Sequence, residues 1–240
     1  MTLVFNYKLV MSEVLFSTAW FGPVLYYALF KRADKIYIEG AENYIKQTYR
    51  NRCVIATSNG PMSLSLPVEG SEKAKINIKD VKLSNHGDWQ RMHWYSIESA
   101  YNSSPYFEYY ADDLKPFFEK TERWLFDFNE EIREKVCELI GIDRNCEVSE
   151  TYLRDVIPVR ADILKNLSDS VSGEITVEPE IGGLVDLRNV LQPKSNVITE
   201  LGKDIIKPYY QVFDRKFGFI PNLSILDLLF NMGPETILYL

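Results

Sequence analysis

The 240-residue sequence predicts an α/β fold: an N-terminal β-α-β unit, a β-hairpin insertion and a largely helical second half. Near the N-terminus, two short β-favouring runs flank an apolar helix that starts at a proline. In residues 52–68, apolar and polar side chains alternate with period two around a Ser-Asn-Gly turn. From residue 89 onward, apolar side chains recur instead at three- and four-residue steps.

Val14-Leu15-Phe16-Ser17-Thr18-Ala19 reads as the first strand, and Pro23 stands where a helix through VLYYALFKRA accepts its first-turn proline. Lys35-Ile36-Tyr37-Ile38 follows as a second strand, parallel to the first because a helix connects them. The loop Trp20-Phe21-Gly22-Pro23 then lies at the carboxyl end of the first strand, the edge where open α/β sheets bind ligands. Trp20 and Phe21 are therefore candidate walls of a site. Arg52–Thr57 and Pro61–Val68 form the hairpin around Ser58-Asn59-Gly60, and Ile76–Leu83 reads as a further strand.

Trp89, His93, Ile97 and Tyr101 share one helical stripe, with Asp88 placed to cap it. Leu114 through Leu139 keep helical spacing, which extends a helix from Asp112 to a stop at Gly141. Tyr152–Leu167 fits a strand or a short helix, and residues 168–183 form a Ser/Gly/Glu/Pro-rich loop. Ser224 caps a helix over Ile225–Phe230, which Gly233-Pro234 ends.

Hydrophobic residues at 46%, with 13% aromatic and 25% charged, are enough to build a core, and the length suits one domain spanning residues 1–240. A net charge of -7 argues against a nucleic-acid partner. Cys53, Cys137 and Cys146 show no metal-ligand spacing, and their odd number suits a reducing, cytoplasmic compartment. The most apolar window, Val14–Phe30, falls short of the roughly 20 residues of a bilayer span and contains Gly22-Pro23, so no membrane span is expected. GxSxG, Walker A, GxGxxG, CxxC and HExxH patterns are all missing, and the sequence calls for no metal and no cofactor. Oligomeric state is not encoded in any pattern of the chain.

The segment Asn85–Tyr110 gathers both histidines, two tryptophans and several carboxylates. Apolar walls with a few polar groups are what a small-molecule site needs. His93 is the leading general acid/base, because imidazole exchanges protons near neutral pH; the alternative is a packed histidine with one hydrogen bond. His86 is a weaker candidate in an Asn-His-Gly-Asp turn. Glu98 and Asp88 could orient an imidazole, although neither shares the His93 stripe. Trp89 and Tyr101 supply aromatic walls.

A second cluster, Asn43–Arg52, holds three cations among hydroxyl and amide donors. In an extended segment Arg50 and Arg52 project to one face, a fork for phosphate or carboxylate. Lys46 adds a charge or an acid/base, and Tyr44 and Asn51 add donors. The alternative is a solvated charged face. Asp227, inside the apolar run Ile225–Phe230, must be exposed, paired or hydrogen-bonded, and an arginine of residues 50–52 is the expected partner.

STAWFGPVLYYALF, IEGAENYIKQTYRNRCVIATSNGPMSLSLPV, DWQRMHWYSIESAYNSSPYFEYY and QVFDRKFGFIPNLSILDLLFNMGP together resemble the WbqC-like protein family, found in O-antigen gene clusters and widely in bacteria. The four blocks match in order over nearly the whole chain. The resemblance implies a role in O-antigen or other surface-polysaccharide production, with a transferase that adds glycine or another acyl group to a nucleotide-linked amino sugar as one form of it. It draws attention to Phe21, Pro23, Tyr44, Lys46, Arg50, Asn51, Arg52, Trp89, His93, Glu98 and Tyr101. Ser17-Thr18-Ala19 departs from a Gln-Pro pair of the family pattern. The expected partner is an anionic small molecule, a sugar nucleotide or acyl donor. The competing reading is a non-catalytic protein that binds a small anion or sugar nucleotide for the polysaccharide machinery.

Overall fold

A computed structural model describes residues 11–70, 75–119, 124–143, 145–158, 183–193 and 205–240. Strand β1 (Met11–Phe16), helix α1 (Val24–Arg32) and strand β2 (Ala33–Ile38) form the expected β-α-β unit, and β1 pairs with β2 in parallel. The first strand ends at Phe16, so Ser17-Thr18-Ala19 belongs to the loop at its carboxyl end. Pro23 is the residue that precedes the helix, with φ -68°. Val24 through Phe30 are all buried, so α1 is covered on every side rather than amphipathic.

Short strands from the later chain extend the sheet on both flanks: β5 (Cys146–Val148), β6 (Ile157–Pro158) and β7 (Leu184–Asp186). The order is β5-β2-β1-β7-β6, parallel throughout. Of the expected strand or helix over Tyr152–Leu167, the pair Ile157–Pro158 is a strand; residues 159–167, and nearly all of the loop expected over 168–183, lie outside the described residues.

The hairpin is β3 (Arg52–Thr57) with β4 (Gly60–Ser65), antiparallel and separate from the main sheet. Gly60 closes the turn at φ 104°, a conformation that a side chain resists. The expected strand over Ile76–Leu83 is instead a 3-10 turn at Ile78–Asp80, flanked by single bridges from Asn77, Lys82 and Leu83. Asn77 Oδ1 accepts from the Lys79 N–H at 2.9 Å, which favours the turn over a ladder.

Helix α2 (Trp89–Tyr101) buries Trp89, Ile97, Ala100 and Tyr101, the predicted stripe. Asp88 does not cap it, because its carboxylate pairs with Arg91. The long helix expected over Asp112–Gly141 is broken into α3 (Phe107–Leu114), a 3-10 turn over Lys115–Phe118 and α4 (Leu125–Ile140). Pro116, at the start of the 3-10 turn, has no N–H to continue the α-helical ladder. Gly141 does end α4, at φ 71°. At the carboxyl end, α5 (Asp214–Phe217), α6 (Ile225–Met232) and α7 (Thr236–Tyr239) follow, with Ser224 capping α6 through the Leu226 N–H. No helix among the described residues is long and apolar enough to cross a membrane.

Candidate functional site

The carboxyl ends of the parallel strands deliver Ser17 and Thr18 after β1, Glu39 after β2, Ser149 after β5, and Asp186 and Arg188 at the end of β7. Glu39, Ser149, Asp186 and Arg188 are joined in one buried network, which the Ser17 hydroxyl meets at the Arg188 carbonyl, 3.5 Å away; Thr18 Oγ1 instead donates to Glu130 Oε1 at 2.8 Å. Glu39 is 0% exposed; its Oε1 accepts from Ser149 Oγ at 2.6 Å, and its Oε2 accepts from Arg188 Nη1 at 2.8 Å and Leu153 N–H at 3.1 Å. Arg188 also forks Asp186 through Nε and Nη2, at 2.9 and 2.8 Å. Beside them Arg50, 2% exposed, forks Glu42 at 2.7 and 2.5 Å and donates to Ser17 Oγ at 2.6 Å. Charges this deep persist because each meets an opposite charge and its remaining polar atoms are hydrogen-bonded. A void of about 10 Å³ lies between Arg50, Arg188 and the β1 loop.

A second cluster forms where the hairpin meets α2. His93 Nε2 lies 3.0 Å from the Ser65 carbonyl oxygen and must donate to it, which leaves Nδ1 as the basic lone pair of the neutral ring. Arg52 Nε donates to Ser65 Oγ at 3.1 Å, so Arg52 and His93 converge on one residue from distant parts of the chain. Among the described residues, the terminal nitrogens of Arg52 and Nδ1 of His93 have no protein partner. The imidazole is held between Trp20 and Trp89, with centroids 5.6 and 5.7 Å away. Burial lowers its pKa below the ordinary value, opposed by the bond to Ser65, and keeps it unprotonated at neutral pH. Tyr44 is half-buried nearby and feels the charges of Arg50 and Arg52; burial pushes its pKa up to about 12, so the phenol stays a donor.

The predicted site residues thus divide. His93, Arg52 and Trp89 gather at the hairpin–α2 junction, Tyr44 lies within electrostatic reach of Arg50 and Arg52, and Lys46 is exposed in the segment that carries Tyr44. Arg50 does not form a fork with Arg52: Arg50 precedes β3, turns inward and is held by Glu42, whereas Arg52 opens the strand and faces Ser65. Trp20 and Phe21 are completely buried; Phe21, at φ 41°, is fixed by the Ser224 hydroxyl bonded to its carbonyl and by the stacked ring of Phe118. Trp20 reaches the site through its ring contact with His93. Asn51 ties the hairpin through Nδ2 to the Leu66 carbonyl. Glu98 is exposed on another face of α2, and His86 is exposed in its loop, bonded through its backbone N–H to Ser84.

Tyr101 is no wall of this cluster. Its hydroxyl accepts from the Ala56 N–H at 3.1 Å and donates to Asp227 Oδ1 at 3.0 Å. Asp227 is 0% exposed, and its Oδ2 accepts from Tyr209 Oη at 2.7 Å and Gln211 Nε2 at 2.9 Å. Neutral donors, not an arginine of residues 50–52, satisfy this carboxylate, and burial pushes its pKa up to about 6.

A family model, WbqC-like protein family, matches residues 20–239. The chain belongs to the WbqC-like protein family. It is also 30% identical over 217 residues to the uncharacterized protein Rv1507c of Mycobacterium tuberculosis (strain ATCC 25618 / H37Rv), an alignment covering 90% of this chain and 91% of the relative. No solved structure matches it. In this WbqC-like chain, sequence reasoning missed Ser17, Glu39, Glu42, Ser149, Asp186 and Arg188, which build the network at the sheet edge. A usable signal existed for Glu39: a carboxylate directly after an apolar β-favouring strand stands at the edge where parallel sheets present polar groups. Asp186 and Arg188 lacked it, because β7 has only three residues.

Proposed function

We propose that this WbqC-like protein is a transferase of O-antigen or other surface-polysaccharide biosynthesis, which passes a glycyl or other acyl group to the amine of a nucleotide-linked amino sugar. The convergence of Arg52 and His93 on Ser65 carries the reading. Family membership supports the polysaccharide setting. In the proposed reaction the amine attacks the acyl carbonyl, the new C–N bond forms as the bond to the donor's leaving group breaks, and His93 Nδ1 takes the amine proton. The Ser65 carbonyl holds the imidazole in the required tautomer, and burial keeps it neutral, both suited to a base at neutral pH. Arg52 supplies unoccupied guanidinium donors for a phosphate, with Lys46 and the Tyr44 hydroxyl as further donors in the same segment. Arg50, Trp20 and Tyr101 support this arrangement from the interior, and Glu98 has no part in it.

Isothermal titration against a panel of sugar nucleotides and acyl donors tests the proposal. Binding is expected to weaken at least tenfold in Arg52→Gln. His93→Gln is expected to bind normally but lose acyl transfer, followed by mass spectrometry of the sugar nucleotide. A folded protein that binds none of the panel sinks the proposal, and full cellular function of His93→Gln points instead to the non-catalytic binding protein.

A further inference from the structure

The outer edge of β4 leads to the Arg52–His93 cluster, and its backbone pairing stops there. Leu66 N–H donates to the Asn51 carbonyl at 2.8 Å, so this is a hydrogen-bonded pair; by the alternation of an antiparallel ladder, the backbone polar groups of Ser65, Ser63 and Pro61 then point away from β3. The β3 side agrees. The Val54 carbonyl accepts from Ser224 N–H at 2.7 Å, and Ala56 N–H donates to Tyr101 Oη at 3.1 Å, so neither group is used toward β4.

Further along the outer edge, Glu69 N–H donates to the Lys82 carbonyl and the Pro67 carbonyl accepts from Ser84 N–H, each at 2.9 Å. The next outward carbonyl, of Ser65, accepts from His93 Nε2 at 3.0 Å, so an imidazole takes the place of the next strand residue. Ser63 follows. It is exposed, and its outward N–H and C=O have no partner among the described residues.

Chain chemistry then limits what can fill this rung. Pro61 has no N–H for the rung beyond, and the Ser65 carbonyl is already taken, so the open edge is too short to accept an added strand. It offers one donor and one acceptor about a single Cα. The complement is a unit with a carbonyl on one side of a carbon and an N–H on the other, which is an α-aminoacyl group. A plain acyl group would take the Ser63 N–H and cover the Ser63 carbonyl without giving it a donor, a loss of hydrogen bonding relative to water. Two residues, about 7 Å of strand, separate this rung from Ser65, on which His93 and Arg52 converge.

We infer that the outward backbone of Ser63 is an α-aminoacyl-binding rung, its N–H held by the acyl carbonyl oxygen and its C=O by the α-amino group. The inference rests on the transferase reading in taking the bound group to be the one transferred, and it selects a glycyl or other aminoacyl donor over a plain acyl donor. When the acceptor amine attacks, the carbonyl π pair moves onto the oxygen facing Ser63 N–H; it returns as the leaving group departs with its bonding pair, and the amine proton goes to His93 Nδ1.

Titration of the wild type with glycine methyl ester and with methyl propionate, of the same shape but with a methyl in place of the amine, tests the rung. Glycine methyl ester is expected to shift the Ser63 amide resonance saturably, with methyl propionate about tenfold weaker or more. Ser63→Ala should bind as the wild type does. Ser63→Pro removes an N–H that the β3–β4 ladder does not use and should abolish the shift read at the Ser65 amide. Saturable binding at Ser63 without acyl transfer from any donor keeps the rung and drops the transferase reading. Acyl transfer that Ser63→Pro leaves unchanged, no saturable shift at Ser63, or equal affinity for the two esters overturns the inference.

Discussion

Replacing Asp227 with asparagine converts a buried carboxylate into a neutral group of the same shape, and the structure fixes how the effect depends on pH. Burial raises the Asp227 pKa from 3.8 to about 6. The native state therefore holds this proton more tightly than the unfolded chain does. The stabilisation from protonation is complete below pH 3.8 and is lost as pH rises through about 6. A shift of about two units corresponds to about 3 kcal/mol, the amount by which the wild type should lose stability relative to Asp227→Asn across that window. The asparagine protein will also carry a pH-independent offset. Tyr101 Oη already accepts from Ala56 N–H, so an amide nitrogen facing it leaves the phenol hydrogen without an acceptor, at about 1–3 kcal/mol. Only the slope tests the reasoning. Urea unfolding of both proteins at intervals from about pH 4 to pH 7 reads it, and titrations common to both cancel. Two stability curves that stay parallel across the window would refute the assignment of Asp227 as a carboxylate destabilised by burial.

Glu42→Ala leaves the Arg50 guanidinium buried without its partner, and denaturant unfolding should show a loss of about 3–5 kcal/mol. Tyr101→Phe orphans the Ala56 N–H and removes a donor to Asp227; a loss of about 1–3 kcal/mol is expected, together with a further upward shift of the carboxyl pKa, because that bond favours the charged form. The His93 imidazole resonances should show the Nε2–H tautomer and titrate below 6.5. Since the fold lowers this pKa, the stabilising contribution of His93 is full above 6.5 and declines as pH falls toward the folded value, a dependence that His93→Gln should remove.

Local pattern was enough wherever an element's environment is written in its own period. The β-α-β opening, the hairpin around Ser58-Asn59-Gly60, the α2 stripe and the Ser224 cap were all legible, because alternation and helical spacing report which side of an element is covered. His93 was legible as a candidate for the same reason: it stands on the buried stripe between Trp89 and Ile97. The break at Lys115–Phe118 was less so, since apolar spacing ran through it and only Pro116 opposed a continuous helix. Over Ile76–Leu83 the apolar alternation outweighed a local signal, the Asn77 side chain that bonds the backbone two residues on.

From its sequence alone this chain determines its class, its first parallel strand pair, its hairpin and the segment that carries an imidazole. Tertiary structure alone decided which arginine is held inside and which keeps open donors: Arg50 and Arg52 are indistinguishable by spacing, yet one meets Glu42 and Ser17 in the interior and the other meets Ser65 at the hairpin. It also decided the sheet edge, where Glu39 finds Arg188 across 149 positions. Periodicity is a property of neighbours along the chain, whereas the partner of a buried charge is set by which strands lie side by side once the sheet has assembled.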